Sequence, residues 1–96
     1  MRLVKLPRFN EELEVIVLFI AEDSQNRALE FYDELLIKIE QIIFSPLSYR
    51  KREKSKNKNV RELIFKGYTV PFLIDESENQ IVILGIFNHN IWKENR

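Results

Sequence analysis

The chain has no cysteine, which excludes a disulfide framework, a cysteine-based zinc site and a thiol nucleophile. Glycine occurs twice in 96 residues, too rarely for a glycine-rich phosphate loop. Long apolar runs are missing as well. The longest, Val15 to Ala21, is seven residues, against the roughly 20 that a membrane-spanning helix requires. Glu11, Glu12 and Glu14 precede it, so the basic flank of a signal peptide is lacking. These absences predict a cytoplasmic protein with no membrane partner. Net charge is absent too: 15 Lys and Arg stand against 15 Asp and Glu, with the single histidine neutral. At first sight that balance argues against a nucleic-acid partner.

What is present is the composition of a folded domain, 45% hydrophobic and 31% charged. At this length one core is attainable, and residues 1–96 read as a single domain. The charge is unevenly spread. Residues 1–49 hold five basic and nine acidic side chains, a balance of −4. Residues 50–66 hold eight basic and two acidic, +6, and residues 67–96 two basic and four acidic, −2. The basic cluster falls in the one long polar stretch, Ser45 to Asn59.

Met1 to Leu6 alternates loosely and predicts a short strand that Pro7 ends. Asn10 is the expected N-cap of a first helix, with Glu11 and Glu12 in its first turn. The β-branched run Val15 to Ile20 also suits a buried strand. The cap signal and the spacing of Leu13, Val17, Ile20 and Ala21 favour a helix. A second helix follows with Ser24 as its cap. Its apolar face is Ala28, Phe31, Tyr32, Leu35, Leu36, Ile39, Ile42 and Ile43, and Pro46 stops it near Ser45. Beyond the basic stretch the period becomes two. Three strands are predicted over Val60–Phe65, Tyr68–Ile74 and Gln80–Phe87, joined by Lys66-Gly67 and by Asp75 to Asn79. Pro71 cannot donate to a ladder, so its strand is either bulged or leaves that side exposed. The order β-α-α-β-β-β predicts an α+β domain, a helical hairpin packed on an antiparallel sheet.

Several residues, in order, resemble the RelE/ParE toxin superfamily of bacterial type II toxin–antitoxin systems. They are Val60-Arg61-Glu62-Leu63, Gly67-Tyr68, Phe72, Ile74-Asp75-Glu76, and Ile81-Val82-Ile83-Leu84 ahead of Ile86-Phe87-Asn88-His89. The first half is similar more loosely, through Pro7, Phe9, Glu11-Glu12-Leu13, Ala28 and Ser45-Pro46. The resemblance implies a toxin, a role in plasmid stabilization, and a cognate antitoxin joined to it in a hetero-oligomer. It implies no cofactor and no metal. Superfamily members act in unlike ways. RelE-like toxins are ribosome-dependent endoribonucleases that cut mRNA in the A site. ParE-like toxins are DNA gyrase inhibitors.

Metal-independent RNA cleavage needs a base for the 2′-hydroxyl, cations for the phosphorane and an acid for the leaving oxygen. RelE-like members supply these mainly with strand Lys and Arg and a C-terminal Tyr or His. At the positions that match, this chain has Val60, Glu62, Thr69 and Phe72. Glu62 remains as a candidate base and His89 as a candidate acid. Arg61 is expected on the opposite strand face from Glu62. The depleted set, with a net charge of zero where such nucleases are usually basic, favours the ParE-like branch. A gyrase inhibitor performs no catalysis. The alternatives are a ribosome-dependent mRNA endonuclease and a degenerate relative that binds an antitoxin without toxicity.

The basic run Arg50, Lys51, Arg52, Lys54, Lys56 and Lys58 is the sharpest electrostatic feature. It is a candidate grip for nucleic-acid phosphates or for an acidic antitoxin, and its plainer role is a solvated loop. With the apolar strand Ile81 to Phe87 it suits such a partner. Arg61, Tyr68 and Trp92 are further candidates, Trp92 by stacking on a base. Their plainer roles are an ion pair, a half-buried strand aromatic and core packing. For His89 the plainer role is a hydrogen-bonding surface residue.

Overall fold

A computed structural model describes residues 1–89 and 91–94. Chain order is β1 (Arg2–Lys5), α1 (Pro7–Asp23), α2 (Gln25–Glu40), two 3₁₀ turns (Gln41–Phe44 and Pro46–Ser48), β2 (Arg50–Lys51), β3 (Val60–Phe65), β4 (Tyr68–Asp75) and β5 (Gln80–Ile83). Pro7 both closes the first strand and opens the first helix. It sits at the first helical position, where its fixed φ fits and its missing N–H has no helical partner to lose. The helix thus starts three residues before Asn10, which lies inside the first turn instead of capping it. Val15 to Ile20 is helical despite its β-branched content. Phe9 and Leu13 are buried, Ile16, Val17 and Ile20 pack against the core, and Val15, Leu18 and Phe19 face outward.

Ser24 alone separates the helices. Its hydroxyl accepts from the Arg27 backbone N–H at 3.2 Å, satisfying one of the free donors at the start of α2. Ala28, Phe31, Leu35 and Ile39 bury the inner stripe of α2 at spacings of three and four. The chain tightens to 3₁₀ geometry after Glu40, and Ile42 continues the buried stripe.

The sheet has the order β1-β5-β4-β3-β2. The α+β class and the helical hairpin are as the sequence predicts. Two details differ. β1 enters parallel to β5, so the sheet is mixed: β3 runs in the direction of β1, and the two reversals through β4 leave β5 in that direction too. The polar stretch also contributes a strand of its own, as Arg50 and Lys51 pair antiparallel with Glu62 and Arg61. β5 lies between β1 and β4, which explains its unbroken apolar sequence. It is covered on both faces and is not offered to a partner, contrary to the expectation for Ile81 to Phe87.

Lys66 and Gly67, at φ 47° and 85°, form the two-residue turn of the β3–β4 hairpin. Pro71 occupies an interior strand, where its carbonyl accepts from the Leu84 N–H at 2.9 Å. Further along, Thr69 and Phe87 exchange backbone hydrogen bonds at 2.7 and 3.1 Å. The register slips by one residue between these pairings. The bulge anticipated near Pro71 therefore lies on the facing segment, at Gly85 and Ile86.

Alternation of the strands divides the interior. Leu63, Phe65, Val70, Phe72, Ile74, Ile81 and Ile83 meet the helices. Val60, Leu73, Val82 and Leu84 face the other way and are roofed by Trp92 of the C-terminal segment. Each fully buried side chain of this size contributes about 1.5–3 kcal/mol relative to exposure.

Candidate functional site

The site lies on the sheet face turned away from the helices. Pairing of Arg50 with Glu62 puts both side chains on that face, and Arg52, two residues along, joins them. Glu62 is buried, and both its oxygens are engaged. Oε1 accepts from Arg50 Nε at 2.9 Å and Oε2 from Arg52 Nη1 at 2.6 Å. Arg52 is buried as well. Its Nε stands 3.7 Å from Glu94 Oε1, and its guanidinium lies 5.2 Å from the ring centroids of both Phe87 and Trp92. Ser55 Oγ donates to the other Glu94 oxygen at 2.8 Å. One buried arginine thus ties β3, the loop after β2 and the C-terminal segment together. Such pairs are charge-assisted, and removing one member leaves the other's charge buried and unpaired.

A second anchor holds the C-terminal segment from the helix side. Glu12 accepts from Trp92 Nε1 at 2.9 Å, from the Ile86 N–H at 3.1 Å and from Arg8 Nε at 3.2 Å. The bulge is what turns the Ile86 N–H away from the ladder and toward α1, where a carboxylate satisfies it. Arg8 lies 4.1 Å from the Trp92 ring centroid and donates to the Lys93 carbonyl at 2.6 Å. Trp92 stacks on Phe87, centroids 5.1 Å apart and planes at 14°. Gly85 leaves room for this arrangement. A Cβ there would meet Glu12 Oε1 at 2.5 Å and the Trp92 ring at 2.6 Å.

The network borders a recess of about 560 Å³ lined by Arg50, Lys51, Arg52, Glu53, Lys54, Glu62, Thr69 and Phe87. A neighbouring recess of about 550 Å³, lined by Lys56, Ile91, Trp92, Lys93 and others, shares Arg52 and Lys54 with it.

The structure brings Glu62, Arg50, Arg52 and Trp92 together, with Lys51, Lys54 and Lys56 around them. Glu62, the candidate base, sits between two guanidinium groups. Trp92 is 7% exposed, and its ring is covered by Arg8 and Phe87 instead of being presented for stacking on a base. Arg61 faces the helix side, where Nη1 donates to the Tyr49 carbonyl at 2.7 Å and to the Leu47 carbonyl at 3.2 Å. Tyr68 is half-buried on that side and meets Phe31 edge-on at 5.4 Å. Lys58 is exposed on the loop before β3. His89 is exposed, and its Nδ1 accepts from the Ile91 N–H at 3.3 Å. Among the described residues no three His, Asp or Glu side chains cluster as a metal site would require.

Sequence reasoning missed Arg8, Glu12, Gly85, Phe87 and Glu94. A glycine at the end of an otherwise apolar strand signals a bulge or a close approach, and that signal was available. Nothing local marks Glu12 as the partner of a tryptophan 80 residues away.

A family model described as the ParE toxin of a parDE type II toxin–antitoxin system matches residues 4–91. No curated protein sequence matches the chain. Among solved structures, a chain of the chromosomal ParDE toxin–antitoxin system from P. aeruginosa superposes with a TM-score of 0.72 at 19% identity, covering 90% of this chain and 92% of that one. At that identity the likeness concerns the fold.

Proposed function

The chain belongs to the ParE toxin family of type II toxin–antitoxin systems, and from that premise we propose that it inhibits DNA gyrase by protein–protein contact, performs no chemistry itself, and is neutralised by a cognate antitoxin. The observation that carries the reading is the state of Glu62. It is the only carboxylate at a position matching the catalytic strand residues of the nuclease branch. It lies buried with both oxygens engaged by arginines, where accepting a substrate proton would neutralise the charge that both guanidinium groups pair with. Supercoiling by purified gyrase in the presence of purified toxin is the test. Relaxed plasmid should accumulate as toxin is added; full supercoiling at large toxin excess overturns the reading.

Antitoxin binding is supported by the outer side of the helical hairpin. Val15, Leu18 and Phe19 are 69%, 59% and 68% exposed. Leu18 also borders a groove of about 400 Å³ with Leu13, Val17, Tyr32 and Leu36. An apolar groove between two helices suits the apolar face of a third. Leu18→Glu and Phe19→Glu should each weaken antitoxin capture at least tenfold in calorimetry while supercoiling inhibition persists. Unchanged capture by both variants would place the antitoxin elsewhere.

A further inference from the structure

The two recesses beside Arg52 form one basic trough. Arg50, Lys51, Lys54 and Lys56 line it from the loop side and Lys93 from the C-terminal segment. Of the three carboxylates along it, Glu62 and Glu94 are turned to Arg52 and Glu53 is exposed on the loop. Six cations against three carboxylates leave the lining at +3 in a protein whose net charge is zero. We propose that this trough binds the phosphodiester backbone of a single nucleic-acid strand, as a ligand and not as a substrate.

Three observations favour a strand. The cations line a recess, whereas a duplex is read by elements that project into its grooves. A recess of this kind accommodates a flexible backbone. Phe87, half-buried, contributes to the wall of the first recess, and Ile91, exposed, to that of the second, so a base following the backbone meets apolar surface. The trough is also pre-formed. Arg52 ties one wall to Glu62 of β3 and approaches Glu94 of the other, and the Ser55–Glu94 hydrogen bond closes the link. Pre-organised walls reduce the ordering cost of binding. An acidic polypeptide shares the charge, but its carboxylates gain nothing from the Phe87 and Ile91 surfaces that a base would cover.

The test is fluorescence anisotropy of 5′-fluorescein oligo(dT) and oligo(U) ten-mers with the purified full chain. Binding should weaken steeply with salt. Three or four phosphate contacts correspond to a loss of about 20- to 50-fold between 50 and 200 mM NaCl. Lys51→Glu with Lys56→Glu should weaken binding at least tenfold at unchanged melting temperature. Lys5→Glu with Lys38→Glu, the same charge change on β1 and α2, should alter it less than about threefold. Tighter binding of oligo(U) identifies RNA as the source, tighter binding of oligo(dT) identifies DNA, and equal binding a backbone contact common to both. Four results overturn the proposal: no binding at 50 mM NaCl; equal losses in the two variant pairs; cleavage of the oligonucleotide; or a fluorescein-labelled decaglutamate that binds as tightly and with the same sensitivity, which assigns the trough to an acidic protein segment. The assay contains neither gyrase nor antitoxin, so it stands apart from the supercoiling experiment.

Discussion

Gly85 shows how one small residue supports a site built largely from long ones. Its φ is not in the left-handed region, so the requirement is for space. A methyl group at Gly85 must displace either Glu12, which would give up its hydrogen bonds to Trp92 and Ile86, or the packed Trp92 ring. Gly85→Ala should therefore destabilise the domain by about 2 kcal/mol, a fall of roughly 8–16 °C in thermal unfolding for a chain of this size. The Arg52–Glu62 pair makes a different prediction. Glu62→Gln leaves the Arg52 charge buried with Glu94 at 3.7 Å as its nearest carboxylate, and should cost about 3–5 kcal/mol in urea unfolding. Arg52→Met combined with Glu62→Met removes both charges and should cost much less than the single change. A double variant as unstable as the two singles together would mean that the pair is not coupled.

At the scale of elements, the C-terminal segment acts as a roof for a sheet face that would otherwise be open. Val60, Leu73, Val82 and Leu84 have no helix over them, and Trp92 covers them from a segment without regular structure. Its anchors come from both sides, Glu12 and Arg8 of α1 and Arg52 and Ser55 of the β2–β3 loop. Trp92 is the sole tryptophan of the chain, so its fluorescence reports this docking directly. Glu12→Ala should shift the emission to the red and raise acrylamide quenching at temperatures where the far-ultraviolet dichroism is still native. The helices hold their places by simpler means. Ser24→Ala removes the one side-chain cap between them and should cost about 1 kcal/mol, read from the same unfolding curves. The outer side of the helical hairpin keeps Val15, Leu18 and Phe19 exposed among its acidic residues, which is why the antitoxin is assigned there and not to β5.

At the scale of the molecule, zero net charge is the sum of an acidic helical half at −4, a basic segment at +6 and a C-terminal third at −2, and the fold gathers most cations of the basic segment beside one sheet face. Induced expression in a bacterial host without the antitoxin should arrest growth. Undisturbed growth with folded protein present would point to a relative that has kept the fold and lost the toxicity. Most of the architecture was legible from local chemistry. The second helix followed from its three-and-four spacing and the β3–β4 hairpin from Lys66-Gly67. Local signals misplaced the first helix cap, because Pro7 takes the start that Asn10 resembles. They also left the parallel β1–β5 pairing and the short β2 unread, because pairing partners far apart in sequence leave no mark on either strand alone. The site was less legible still. The basic run and Glu62 stood out by type and position. Their union through Arg52 did not, because an ion pair depends on which strand face each side chain takes and on what covers it. The sequence by itself determined the elements, the inner stripes and the presence of a basic segment, since these rest on periodicity and composition. Only the tertiary structure decided that Glu62 is enclosed by arginines, that Trp92 roofs the sheet, and that the loop cations border a trough. Those outcomes depend on contacts between residues ten to eighty positions apart, and only the folded chain brings such residues within reach.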